Sequence, residues 1–80
     1  MRFVPPTSYN PSMVTIFGKD TCPYTNAARD DYRRRGVAVE YVNVKKSPAD
    51  LDRMLRVTNG RRQVPVIVDD GKITIGFGGT

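Results

Sequence analysis

The chain has no histidine, no tryptophan and a single cysteine, Cys22. Without histidine, neither the Ser-His-Asp and Cys-His machineries nor the usual zinc constellations can be assembled, so no metal site is expected. One cysteine also excludes an internal disulfide. Nowhere does the sequence approach the roughly 20 consecutive apolar residues that a transmembrane helix requires. The start, Met1-Arg2-Phe3-Val4-Pro5-Pro6, lacks the apolar run of a secretory signal. No membrane partner and a cytoplasmic location are therefore expected.

The 80 residues, 39% of them hydrophobic, suffice for one compact domain and not for two. A formal net charge of +5 is compatible with nucleic acid, an anionic surface or a small acidic ligand, so position must discriminate. Arg33, Arg34 and Arg35 lie in a row, which on a helix spreads them by about 100° each around the cylinder. They form no docking stripe, and cations in a last helical turn complement the negative end of the helix dipole. They are read as a solvated helix end, and no nucleic-acid partner is expected.

Residues 1–12 contain Pro5, Pro6 and Pro11 among polar neighbours and predict an extended arm. The folded domain is expected over 13–80. Val14-Thr15-Ile16-Phe17 predicts a strand, stopped by Gly18. Pro23 suits the first position of a helix running to about Arg35, with Gly36 as its stop. Its inward face is expected to carry Tyr24, Ala27, Ala28 and Tyr32. Val37 to Val44 predicts a second strand. Ser47-Pro48-Ala49-Asp50 is a helix start, Leu51, Met54 and Leu55 form an apolar stripe, and Asn59-Gly60 ends that helix. Val64 to Val68 predicts a third strand, Asp69-Asp70-Gly71 a tight turn, and Lys72 to Ile75 a fourth strand. The order β-α-β-α-β-β implies an α/β domain: a parallel pair joined by a crossover, with a closing hairpin added antiparallel to the same mixed sheet.

Cys22 is the residue with chemical potential. It lies between polar Lys19-Asp20-Thr21 and a helix-initiating proline, whereas a structural cysteine is expected inside an apolar run. The start of a helix presents free amide hydrogens and about half a positive charge. Lys19 adds a cation, and the Thr25 hydroxyl can donate to sulfur. A thiol lowered from about 8.5 to about 7 is roughly half ionised at neutral pH, and a more acidic thiol is also a better leaving group in exchange.

Cys22-Pro23-Tyr24-Thr25, following a strand and loop, resembles the active-site motif of glutaredoxins, with Thr25 where dithiol members carry a second cysteine. The similarity runs from Met13 to Gly78. Gly60-Arg61-Arg62-Gln63-Val64-Pro65 resembles the family's Gly-x-Arg-Thr-Val-Pro segment, and Asp70-Gly71-Lys72 with Ile75-Gly76-Phe77 resembles its closing hairpin and glycine turn. The resemblance implies a thioredoxin-like fold and a cis peptide bond before Pro65, with the Val64 backbone pairing strand-like with the cysteinyl part of glutathione. It also implies a glutathione groove drawn from Lys19, Tyr24, Thr25, Arg62, Gln63, Val64, Pro65, Gly76, Phe77 and Gly78. On the second helix, ordinary surface placement is favoured for Arg53 and Arg56 over the same groove.

Relatives often carry an acidic residue after the glycine turn; Phe77-Gly78-Gly79 leaves backbone amides to hold the glutamyl end. Relatives usually continue into a further helix, which is expected here to be short or absent. Phe3, Val4 and Tyr9 of the arm, or a second copy, are then candidates to cover one sheet face. The Cys-x-x-Thr motif with Gly76-Phe77-Gly78-Gly79-Thr80 is similar to a small glutaredoxin-like group sometimes called UXX-star, in which selenocysteine can replace the nucleophile.

With no second cysteine, a monothiol cycle is expected. Cys22 takes glutathione from a glutathionylated substrate, and a second glutathione, or another low-molecular-weight thiol, releases it; glutathionylated or disulfide-containing proteins are the expected partners. Glutathione is thus a co-substrate, with no tightly bound cofactor. A monomer is expected, with a weak dimer as the alternative. Two other readings stay open: an iron-sulfur carrier with glutathione as co-ligand, and a non-catalytic interaction domain that keeps the fold.

Overall fold

The structure, a computed structural model, describes residues 13–78. The arm expected over 1–12 and its folding-back residues lie outside the described residues.

Two short β-branched runs come first. Strand β1, Val14–Gly18, leads to helix α1, Pro23–Arg34, and then to strand β2, Val39–Asn43. Helix α2, Pro48–Thr58, precedes the hairpin strands β3, Val66–Asp69, and β4, Lys72–Ile75. The sheet order is β2-β1-β3-β4. β1 pairs parallel with β2 and antiparallel with β3, and β3 pairs antiparallel with β4. This is the mixed four-stranded sheet expected from the element order.

Local chemistry accounts for the element ends. Ser47 caps α2 by accepting from the Asp50 amide, Pro48 occupies the first turn, and Asn59 closes the helix in the left-handed conformation at φ 61°. Asp70 and Gly71, at φ 51° and 82°, form a two-residue hairpin turn whose positive angles match the strand twist. β3 begins at Val66, two residues later than expected, because Pro65 has no amide hydrogen to give the ladder. β2 is likewise shorter than Val37 to Val44, as the Val37 amide is spent on the Tyr32 carbonyl.

The alternation of β1 feeds two cores. Phe17 joins Val42, Val44, Met54 and Val66 on the α2 side, while Val14 and Ile16 join Ala28 and Ile67 on the α1 side. Met54 and Ile16 are fully buried, each burial contributing about 1.5–3 kcal/mol.

The inward face of α1 differs from the expectation. Thr25 and Ala28 are fully buried and Tyr32 half-buried, whereas Tyr24 is 41% exposed and Ala27 is also exposed. The reason is close approach. A Cβ on Gly18 would stand 2.5 Å from the Thr25 hydroxyl oxygen, so glycine in the strand admits the small Thr25, and the helix rotates to that contact instead of burying the Tyr24 ring.

Candidate active site around Cys22

The loop from β1 to α1 is a tight turn in which the Cys22 amide donates to the Lys19 carbonyl at 3.2 Å. Cys22 is the N-cap of α1, extended at φ −91° and ψ 115°, and Pro23 follows in the first turn. The Cys22 carbonyl accepts the first helical hydrogen bond, from the Asn26 amide at 3.1 Å. Its side chain makes no capping bond and stays free for other chemistry.

Cys22 retains 8% of its surface exposed. That burial pushes the thiol pKa up, but the Thr25 hydroxyl, the amides of Thr25 and Tyr24 and the charge of Lys19 outweigh it, and the net shift is downward. The Thr25 hydroxyl is fully buried and makes no hydrogen bond of good geometry. A buried unpaired donor needs an explanation. Its place beside the sulfur, where it favours the charged form, supplies one, since an anionic sulfur is a stronger acceptor than a neutral thiol.

The loop is held from outside by three contacts. The Asn26 side chain donates to the Asp20 carbonyl at 2.9 Å, and the Tyr41 hydroxyl donates to Asp20 Oδ1 at 2.8 Å. Arg29 stacks over the Tyr41 ring with its guanidinium carbon 3.8 Å from the centroid. Asp20 and Tyr41 were not among the expected site residues, because no local pattern links a loop carboxylate to a phenol 21 positions away.

The register places the proline segment at the same end of the sheet. Phe17 faces Val66, so the Cys22 loop leaves the sheet at the end where Pro65 leads into β3. The Val64–Pro65 peptide bond is cis, as the resemblance implies. The Gly76 amide donates to the Pro65 carbonyl at 2.7 Å, which ties the glycine turn to this edge.

A cavity of about 200 Å³ opens there, lined by Lys19, Val44, Lys45, Leu51, Met54, Arg62 and Val64. Of the expected groove residues it gathers Lys19, Arg62 and Val64. Tyr24 is exposed and Gln63 is exposed outside the lining. Thr25 is no groove wall, being sealed beneath Cys22 against Gly18. Phe77 packs against the core on the α1 side, and Gly78 is exposed at φ 64°. Arg53 and Arg56 line a different hollow, with Thr15, Phe17, Val57 and Val68, consistent with ordinary surface placement.

Lys45 is a lining residue that sequence reasoning missed. A usable signal existed, since residues just beyond the C-terminal ends of neighbouring parallel strands share one crevice. Here the Val44 amide donates to the Gly18 carbonyl at 2.9 Å, which brings the ends of β1 and β2 together.

A mixed sheet with a solitary, acidified thiol at the first helix start, at the sheet end where a cis-proline enters β3, defines a thioredoxin-like domain of the thiol-redox kind. The chain belongs to the glutaredoxin family, whose family model matches residues 14–74. It is similar in structure to a glutaredoxin from Archaeoglobus fulgidus, with 24% identity, a TM-score of 0.70, and coverage of 81% of this chain and 75% of that one. A variant of the thioredoxin-like protein BC3987 is 26% identical at a TM-score of 0.73, covering 81% of this chain and 82% of that one. The glutaredoxin-like NrdH-redoxin of Escherichia coli, described as having a thioredoxin-like activity profile, is 26% identical at a TM-score of 0.69, covering 82% and 84%. No curated protein matches significantly in sequence. Among the described residues no helix is long and apolar enough to cross a membrane.

Proposed function

We propose that the protein is a glutathione-dependent thiol-disulfide oxidoreductase that works by a monothiol cycle through Cys22. The observation that carries this reading is the acidified Cys22 sulfur at the helix start, at the sheet end where a cavity bears three cations, Lys19, Lys45 and Arg62, and the Val64 segment. Glutathione carries two carboxylates and a peptide backbone. Lys19 and Arg62 meet a carboxylate, Val64 offers backbone pairing groups, and the turn around Gly76 offers amides for the other carboxylate.

The cycle has two exchanges. The Cys22 thiolate attacks the glutathione sulfur of a protein mixed disulfide, forming Cys22-glutathione disulfide and expelling the substrate thiolate, which takes a proton from solvent. The thiolate of a second glutathione then attacks the glutathione sulfur on Cys22, yielding oxidised glutathione and restoring the Cys22 thiolate. The acidity of Cys22 serves both steps, as nucleophile in the first and leaving group in the second.

Turnover of a glutathionylated peptide by wild type and by Cys22→Ser, with intact mass measured after omission of free glutathione, tests the proposal. A glutathione adduct confined to Cys22 and turnover abolished in the serine variant are expected. Adduct formation without turnover by glutathione, but with turnover by another small thiol, selects a second reading. The similarity to NrdH-redoxin favours that reading, in which another reductant recycles Cys22.

A further inference from the structure

The helical arginines are largely neutralised where they stand. Arg33, Arg34 and Arg35 pair with Asp30 or Asp31, Arg53 with Asp50, and Arg56 with Asp52, each three or four residues apart. Arg29 lies on the Tyr41 ring. Glu40 accepts from Thr15, and Asp69 stands opposite Lys72 in the hairpin. Of the described cations without an ion pair, Arg29 lies on the Tyr41 ring and Lys72 in the hairpin, and the other five, Lys19, Lys45, Lys46, Arg61 and Arg62, are gathered at the Cys22 end of the sheet. Among the described residues, most of the positive charge without an acidic partner therefore lies around the reactive thiol.

Three backbone devices hold these cations there. Asn43 accepts the Lys45 amide on its side chain at 2.9 Å and the Lys46 amide on its carbonyl at 3.3 Å. The buried Thr58 hydroxyl donates to the Arg61 carbonyl at 2.8 Å and accepts from the Arg61 amide at 3.0 Å. Lys19 sits on the turn closed by Cys22. Asp20 is the one carboxylate on these segments, and Tyr41 occupies it. A small thiol with one carboxylate in the cavity engages Lys19 and Arg62 and has no use for exposed Lys46 and Arg61, which lie outside the cavity lining.

We propose that this cationic rim is a docking surface for acidic protein substrates, in which a carboxylate-rich segment flanks the disulfide delivered to Cys22. The proposal rests on the monothiol reading of Cys22 and supplies its substrate class. The charges lie on three separate loops around a hollow, not along a stripe, so they match carboxylates scattered about a projecting cysteine better than an extended phosphate backbone. Such a field raises the encounter rate with an acidic substrate and is screened by salt.

Peptides of one length carrying a central cysteine flanked by Glu, by Gln or by Lys, each as its glutathione mixed disulfide, test this. The Glu peptide is expected to exceed the Gln peptide in kcat/KM by about tenfold at low ionic strength. The Lys peptide falls below both, and the differences collapse at high salt. The Lys46→Gln/Arg61→Gln variant keeps turnover of the Gln peptide and loses most of the Glu advantage. Equal kcat/KM for the three peptides, or a Glu advantage that survives the variant, overturns the proposal.

Binding is tested without chemistry by titrating the Glu peptide, its cysteine replaced by serine, into the full chain while following amide resonances. Shifts confined to residues 19, 45–46 and 61–62 support the surface; their absence overturns it even if turnover fails for other reasons. An oligonucleotide of equal charge that shifts the same amides with equal affinity overturns the protein-substrate assignment. Wild-type turnover of the Gln peptide no faster than that of Cys22→Ser overturns the monothiol reading, and the titration then decides the docking surface by itself.

Discussion

Tyr41 on the second strand donates its hydroxyl to the Asp20 carboxylate at 2.8 Å, two residues before the nucleophile. A free carboxylate there opposes ionisation of Cys22 by like-charge repulsion. The phenol and the Arg29 guanidinium over its ring occupy and offset that charge. Partial burial, then the bond to Asp20, push the Tyr41 pKa up to about 12.

Tyr41→Phe therefore has two readouts. Of the four tyrosines in the chain, the phenolate absorbance step near 12 disappears in the variant, and the midpoint of Cys22 alkylation moves to higher pH. Loss of the hydrogen bond costs about 1 kcal/mol of stability, measured by urea unfolding. An unchanged alkylation profile counts against the link from Tyr41 to Cys22.

Thr25→Val removes the hydroxyl from beside the sulfur while nearly keeping the volume. The Cys22 alkylation midpoint rises, and stability stays within about 1 kcal/mol of wild type, because an unpaired buried donor goes with it. Thr25→Ser retains the low midpoint. A midpoint that is the same in all three proteins assigns Thr25 to packing only.

Gly18→Ala places a methyl group against the Thr25 side chain, onto its Cγ2 and 2.5 Å from its hydroxyl oxygen. Overpacking of this kind costs about 1–3 kcal/mol. Denaturant unfolding reads the loss, and combination with Thr25→Ser, which removes one of the clashing groups, recovers part of it. Full stability of Gly18→Ala alone contradicts the close approach of helix and strand.

The acidity of Cys22 also makes stability depend on pH. The folded pKa lies below the unfolded one, so the contribution is fully present above the unfolded thiol pKa and is lost as pH falls through the folded value. The difference in melting temperature between wild type and Cys22→Ser, under reducing conditions, should favour wild type increasingly as pH rises through that window and then level off. A difference independent of pH shows that folding does not select the thiolate.

The element ends were legible because their causes lie within four residues: Pro23 after Cys22, Ser47 reaching the Asp50 amide, Asn59 in the left-handed region, and the Asp70-Gly71 turn. From these the sequence by itself determined the β-α-β-α-β-β order and set its one cysteine at a helix start. It did not determine which side of α1 faces inward. Hydrophobicity favoured Tyr24 and Ala27 beside Ala28 and Tyr32, while the close approach of Gly18 to Thr25 turns the helix so that Thr25 is buried with Ala28 and Tyr24 and Ala27 stay exposed.

Nor could local pattern show that Tyr41 would reach Asp20, or that Lys19, Lys45 and Arg62 would meet around one cavity. Those contacts depend on the parallel register of β1 with β2 and the antiparallel register of β1 with β3. Register is a property of pairing between distant segments, set when both sheet faces are packed at once, and only the tertiary structure decides it.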